Sequence, residues 1–214
     1  MNVRLRFPGV FVLTLGMATS SLALNPGDRV DNFRLLDQNG ASHELYYLSD
    51  ARAVVIMAHG NGCPIVRNTM PELKEIRDRY RSQGVEFLLI NPNLQDTRDA
   101  VAGEATEFDI DFPILMDETQ LIGESLGLSR TAEVYVIDPK NWNLVYRGPV
   151  DDRLGYGTQR PSATKHYLAD ALDSTLAGKA AAVAQAEALG CLVNFPERDR
   201  REAHAKISYT SRIA

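Results

Sequence analysis

Ala53-Val54-Val55-Ile56-Met57-Ala58-His59-Gly60-Asn61-Gly62-Cys63-Pro64-Ile65-Val66-Arg67 reads as three pieces in succession. Ala53 to Ala58 is an unbroken apolar run, as in a strand covered on both faces. The glycines at 60 and 62 mark a turn. From Pro64 a helical pattern runs to about Ser82. Ile65, Leu73, Ile76 and Tyr80 supply its apolar side, and the charges of Lys74 to Arg81 its solvent side. Pro64 suits a first helical turn, where a missing N–H costs nothing. Pro71, inside the pattern, is expected to kink the helix or interrupt its bonding. Cys63 stands at the junction of turn and helix.

A thiol at that junction meets unpaired backbone N–H groups and the positive end of the helix dipole. Both favour thiolate over thiol, which raises nucleophilicity at neutral pH. Gly60 and Gly62 let the backbone turn sharply beside the sulfur. Pro64 removes a competing donor, and Arg67, one turn on, adds positive charge. Three readings of Cys63 stand open: a redox nucleophile, a metal ligand, or a buried structural thiol. His59, four residues earlier, bears on the second, because imidazole and thiolate suit copper or zinc. Two ligands are too few for a closed site, however. Otherwise His59 is a loop residue that tunes the thiol's proton equilibrium.

On either side of this stretch, apolar patterns alternate. Val30 to Leu36 and Ser42 to Leu48, around Asp37-Gln38-Asn39-Gly40, predict a strand hairpin. Val85 to Ile90 predicts a second buried strand, closed by Asn91-Pro92-Asn93. A helix follows over Thr97 to Phe108, with Asp96 as its N-cap. Pro113 to Met116 is a short strand, and Glu118 to Leu126 a short helix ended by Gly127. Glu133 to Ile137 and Leu144 to Arg147 form an antiparallel pair, and Thr164 to Leu176 the last clear helix. Ala180 to Ala188 reads as helix or extended chain. This order predicts an α/β domain with a central mixed sheet flanked by helices, an N-terminal hairpin and a C-terminal tail. No glycine-rich phosphate loop and no Gly-x-Ser-x-Gly elbow occurs.

The chain has 214 residues and a net charge of −5, which argues against nucleic acid as partner. Arg4 and Arg6, the apolar Val10 to Ala18, and Ser21-Leu22-Ala23 read as a signal peptide cut after Ala23. The expected divisions are 1–23 for that segment, 24–195 for the folded domain, and 196–214 for a polar, poorly ordered tail. An exported protein follows, periplasmic in a Gram-negative cell, with no stable membrane insertion after cleavage. The two cysteines, Cys63 and Cys191, are an even count that an oxidising compartment permits to pair.

The apolar strand, short turn, Cys63-Pro64 and Pro71 resemble the active-site helix of the thioredoxin fold. Thr131-Ala132-Glu133-Val134-Tyr135-Val136-Ile137-Asp138 and Val145-Tyr146-Arg147-Gly148-Pro149-Val150-Asp151-Asp152-Arg153 resemble the redoxin branch close to the alkyl hydroperoxide reductase/thiol-specific antioxidant superfamily. Arg160-Pro161, Thr164, Ala171-Leu172, Leu176 to Lys179 and a late Gly190-Cys191-Leu192 match an exported bacterial group within it. Ile207 to Ala214 resembles the lead-in to a cytochrome c module fused to some relatives, although no Cys-x-x-Cys-His occurs here. The resemblance implies a thioredoxin-like fold, an oxidoreductase of antioxidant type with no cofactor, a protein disulfide or peroxide as substrate, an external thiol reductant, and a cytochrome c-type redox partner.

The chain departs from that pattern in several places. Val66 stands where dithiol thioredoxins carry their second cysteine. Gly60 stands where peroxidases carry a hydroxyl. Ala132 stands near the register of the thioredoxin cis-proline and the peroxidase arginine, although Thr131 remains and Arg130 is close. Met57 replaces a buried acid. Cys191 is then the one candidate to resolve an intermediate formed on Cys63, if the tail folds back over the helix start. Asp151-Asp152-Arg153 is read as a solvated ion cluster or as lining of the thiol pocket. The sequence supports a thiol–disulfide oxidoreductase with Cys63 as nucleophile. Alternatives are a copper-binding or partner-docking module on the same scaffold, without turnover.

Overall fold

A computed structural model of the chain describes residues 24–155 and 157–210; the expected signal peptide lies outside them. The first strands, β1 (Arg34–Leu36) and β2 (Ser42–Glu44), pair antiparallel as a small separate hairpin. It is shorter than the sequence predicts, because Leu45–Leu48 turns into a 3₁₀ helix. Leu45 is buried there, and Tyr46 stacks on Trp142 at 4.2 Å.

The central sheet holds β3 (Ala53–Ala58), β4 (Val85–Asn91), β5 (Ile114–Met116), β6 (Val134–Asp138) and β7 (Asn143–Gly148). Their order is β5-β4-β3-β6-β7. The pairs β3–β4 and β4–β5 are parallel, while β3–β6 and β6–β7 are antiparallel. The sheet is therefore mixed, as predicted. Strand β3 is central and wholly buried, which explains its unbroken apolar run.

Side-chain alternation divides the core in two. Val55, Met57 and Leu89 pack toward α1 (Pro64–Arg81), α2 (Arg98–Glu107) and α4 (Tyr167–Leu176). Val54, Ile56, Leu88 and Ile90 pack on the other face, against Leu126 of α3 (Leu121–Leu126), Val30, Trp142 and Phe195. Helix α1 runs as one element through Pro71, which is exposed on its outer side.

Two expectations are revised and an open one is decided. Thr97, not Asp96, caps α2, its side chain accepting from the Ala100 N–H at 3.3 Å. Ala180 to Ala188 is extended rather than helical, and Ala184 to Ala186 lies along β7: the Arg147 N–H donates to the Ala184 carbonyl, and the Ala186 N–H to the Arg147 carbonyl. The segment after Phe195 is a helix, α5 (Pro196–Thr210), rather than a poorly ordered tail. It is polar and largely exposed, with Arg198 over the ring of the buried Phe195.

Candidate active site

The end of β3 carries the chain into the turn at His59–Gly62. Two glycines are required here for different reasons. Gly62 has φ +75°, in the left-handed region that favours glycine. Gly60 is pressed against its surroundings: a Cβ there would lie 2.7 Å from Thr131 Cγ2 and 2.8 Å from Asn93 Nδ2. A threonine or serine at position 60 has no room while Thr131 stands where it does.

Thr131 fills that space with its methyl and sets its hydroxyl 3.1 Å from Cys63 Sγ. The Cys191 N–H donates to the same oxygen at 2.9 Å, so the hydroxyl proton is free to point at the Cys63 sulfur. Ala132, next along, has φ +58°. That left-handed backbone is unfavourable for a residue with a Cβ by roughly 1 kcal/mol. It turns the chain as Thr131 leaves the thiol and the sheet resumes at the Ala58–Glu133 contact.

The tail does fold back over the helix start. Gly190 rests against Thr131 so closely that a Cβ would fall 1.6 Å from the Thr131 carbonyl oxygen. The Thr131 N–H donates to the Cys191 carbonyl at 2.9 Å, the Val193 N–H to the Ser129 carbonyl at 3.0 Å, and Arg130 Nη1 to the Gly190 carbonyl at 3.0 Å. Gln120 Nε2 binds the carbonyls of Pro92 and Asn194, and Phe195 is fully buried against Gly123. These contacts bring the Cys191 sulfur to 2.9 Å from that of Cys63, with no bond between them. Cys63 is only 5% exposed, whereas Cys191 is exposed and Leu192 beside it is 73% exposed.

The two thiols are pushed in opposite directions. Burial opposes ionisation of Cys63. Hydrogen bonds from Cys191 and Thr131, then the backbone N–H groups of Val66 and Cys191, outweigh it and hold the thiol below its ordinary value. Burial and the hydrogen bond to Cys63 push Cys191 up. Cys63 is thus the member of the pair that ionises first.

Arg67 and His59 are placed differently from expectation. Arg67 does not lend its charge to the thiol. Its Nε binds Glu104 Oε1 at 2.7 Å, and its guanidinium lies 4.0 Å over the Phe108 ring. His59 is completely buried, and its Nδ1 meets the Asn91 amide at 3.3 Å rather than Cys63. Burial pushes it down to about 4, against the pull of Glu104 and Asp96, so the ring is neutral at physiological pH. Its Nε2 has no hydrogen-bond partner among the described residues. No group of three or more His, Cys, Asp or Glu side chains among them could hold a metal ion. Pro64 is the first residue of α1, as expected.

Two acids hold the turn: Glu104, which the sequence reading did not single out, and Asp96, which it placed only as a helix cap. Glu104, on the buried side of α2, accepts the Gly62 N–H at 2.9 and 3.0 Å. Asp96 accepts the Asn61 N–H at 2.8 Å and the side-chain amides of Asn91 and Asn93. The one signal available was a charged residue in register with the buried Val101 and Ala105 of the same helix. A cleft of about 270 Å³ is lined by Ile65, Ala132, Leu189, Tyr167 and the stretch Asp151–Arg153. The ion-cluster reading holds in part, since Asp151 pairs with Arg153 at 2.6 Å but is buried, and Asp152 pairs with Arg160 at 2.7 Å; all three line this cleft, whose walls include neither cysteine.

A model of the redoxin family matches residues 25–166, which includes the turn, Cys63 and Thr131. The chain belongs to the redoxin family. This redoxin is 30% identical over 111 residues to a curated protein of Halalkalibacterium halodurans named thiol-disulfide oxidoreductase ResA. That match covers 52% of the chain and 61% of the relative's length. An uncharacterised conserved protein from Geobacillus kaustophilus superposes with a TM-score of 0.70 at 30% identity, over 80% of this redoxin and 93% of that chain. A putative thiol:disulfide interchange protein DsbE from Chlorobium tepidum superposes with a TM-score of 0.55 at 18% identity, over 72% and 99% of the two chains, and shares the thioredoxin-like fold.

Proposed function

We propose that this redoxin is an exported thiol–disulfide oxidoreductase acting on protein disulfides, with Cys63 and Cys191 as its redox couple. The observation that carries the reading is the 2.9 Å approach of the two sulfurs, one at a helix start and one on an anchored return segment. Cys63 supplies the thiolate. Cys191 supplies the second sulfur, which turns a mixed disulfide into an internal one and passes two electrons on. Thr131 does for Cys63 what a hydroxyl at position 60 does in a peroxidase, from the neighbouring loop. An external thiol reductant restores the dithiol.

A protein substrate is favoured over a peroxide for two reasons. A cleft of about 270 Å³ lined by Ile65 and Ala132, the neighbours in sequence of the Cys63 helix start and of Thr131, has room for a substrate side chain, far more than a peroxide needs. The relative named a thiol-disulfide oxidoreductase supports the same class of reaction. The folded domain is assigned to 24–195, followed by helix α5. Export rests on Arg4, Arg6, the apolar run and Ser21-Leu22-Ala23; no described helix is long and apolar enough to cross a membrane.

Insulin reduction with dithiothreitol as donor tests this reading. Wild type is expected to turn over, and Cys63→Ser to fall to background. Turnover that survives Cys63→Ser, or faster consumption of hydrogen peroxide than of insulin disulfides, contradicts it.

A further inference from the structure

Resting on that couple, we propose that an external thiol partner exchanges with Cys191 rather than with Cys63: Cys191 Sγ is the atom a partner's thiolate attacks, and Cys63 is the inner sulfur that leaves and returns. The geometry around the two sulfurs differs. Cys63 is 5% exposed, enclosed by its own turn, the Thr131 side chain and Cys191. The backbone beside Thr131 is already paired, its N–H donating to the Cys191 carbonyl while the Val193 N–H donates to Ser129. A partner strand cannot add there without lifting the return segment. That segment is held by the buried Val193 and Phe195, by the Gln120 bond to Asn194 and by the close seat of Gly190. Cys191 has no such cover, and the exposed Leu192 adjoins it.

In the oxidised chain a bond joins Cys63 and Cys191. One thiolate of a partner dithiol attacks Cys191 Sγ; the partner–Cys191 bond forms, and the Cys63–Cys191 bond breaks. The electron pair leaves on Cys63, whose thiolate the Thr131 hydroxyl and the Val66 N–H receive. The partner's second thiolate then attacks the partner's own bonded sulfur. Cys191 departs and takes a proton. The partner becomes a disulfide. The chain holds two electrons and one proton, and one proton goes to solvent. The better leaving group is the thiol with the lower pKa, which favours expulsion of Cys63. In the reverse direction the Cys63 thiolate attacks Cys191 Sγ of the Cys191–partner mixed disulfide and the partner's thiolate leaves; attack on a substrate disulfide stays with the Cys63 thiolate.

The test uses the full chain, oxidised, and a thioredoxin variant that retains only its attacking cysteine as the probe. Adducts are quenched in acid, free thiols are capped with N-ethylmaleimide, and tryptic peptides are mapped. The peptides Ala53–Arg67 and Ala180–Arg198 separate the two cysteines. The expected result is thioredoxin on the Cys191 peptide over the Cys63 peptide by at least about tenfold, a margin set by accessibility and leaving-group preference. Equal labelling, or thioredoxin mainly on Cys63, overturns the assignment. A map of the oxidised chain before thioredoxin is added reads the couple itself. If it lacks a cross-linked pair of these peptides, the proposed couple fails, and this assignment fails with it.

Discussion

Thr131 is the residue on which the chemistry of Cys63 turns. Its oxygen accepts from the Cys191 N–H, which leaves its proton free to donate to the Cys63 thiolate. A hydrogen bond to a charged group contributes about 1.5–3 kcal/mol. Thr131→Val keeps the shape and removes that bond. The Cys63 pKa should rise toward that of a free thiol, and alkylation at neutral pH should slow by about tenfold or more, since 1.4 kcal/mol is tenfold. Iodoacetamide rates against pH read this directly; an unchanged profile would mean the hydroxyl does not stabilise the thiolate. Cys63, Gly60, Gly62 and Pro64 were readable from sequence because each has a local reason to be where it is. Glu104 and Asp96 were not, because their partners, the N–H groups of Gly62 and Asn61, come from a different strand-to-helix turn. Arg67 was misread for the same reason, since Glu104 takes up its charge.

Among the elements, the return segment from Ala184 to Phe195 matters most. It borrows hydrogen bonds twice, first from β7 at Arg147 and then from the Ser129–Thr131 backbone. Its buried anchor at Phe195 then fixes the end. Helix and strand periodicity is silent about such a stretch, which makes no bonds within itself. The sheet strands were readable by contrast, because burial on both faces leaves an unbroken apolar run and a single buried face leaves alternation. Gly190→Ala tests the segment specifically. Its Cβ collides with the Thr131 carbonyl, so Cys191 must move away from Cys63. Closure of the internal disulfide should slow by at least about tenfold, because proximity supplies most of the rate of an intramolecular step. The far-ultraviolet circular dichroism should be unchanged. Closure at the wild-type rate would show that the segment does not position Cys191.

For the molecule as a whole, the buried polar turn makes stability depend on pH. His59 is neutral and fully buried, pushed down to about 4 from an ordinary 6.5. Below pH 6.5 the unfolded chain takes up a proton that the folded chain refuses. Stability is therefore full above that pH, falls as pH drops, and has lost the whole His59 contribution near pH 4. Between about pH 7 and about pH 4.5 wild type should lose about 2–3 kcal/mol more than His59→Gln, measured by urea unfolding. Equal losses would place the His59 proton elsewhere.

The account stands or falls on the couple. Equilibrating the chain in dithiothreitol buffers of stepped redox poise, then capping and mapping its thiols, measures it. The account predicts one two-electron transition in which Cys63 and Cys191 disappear together as free thiols and appear as a single intramolecular cross-link. Cysteines that stay free across the range, or that pair only between molecules, would contradict it.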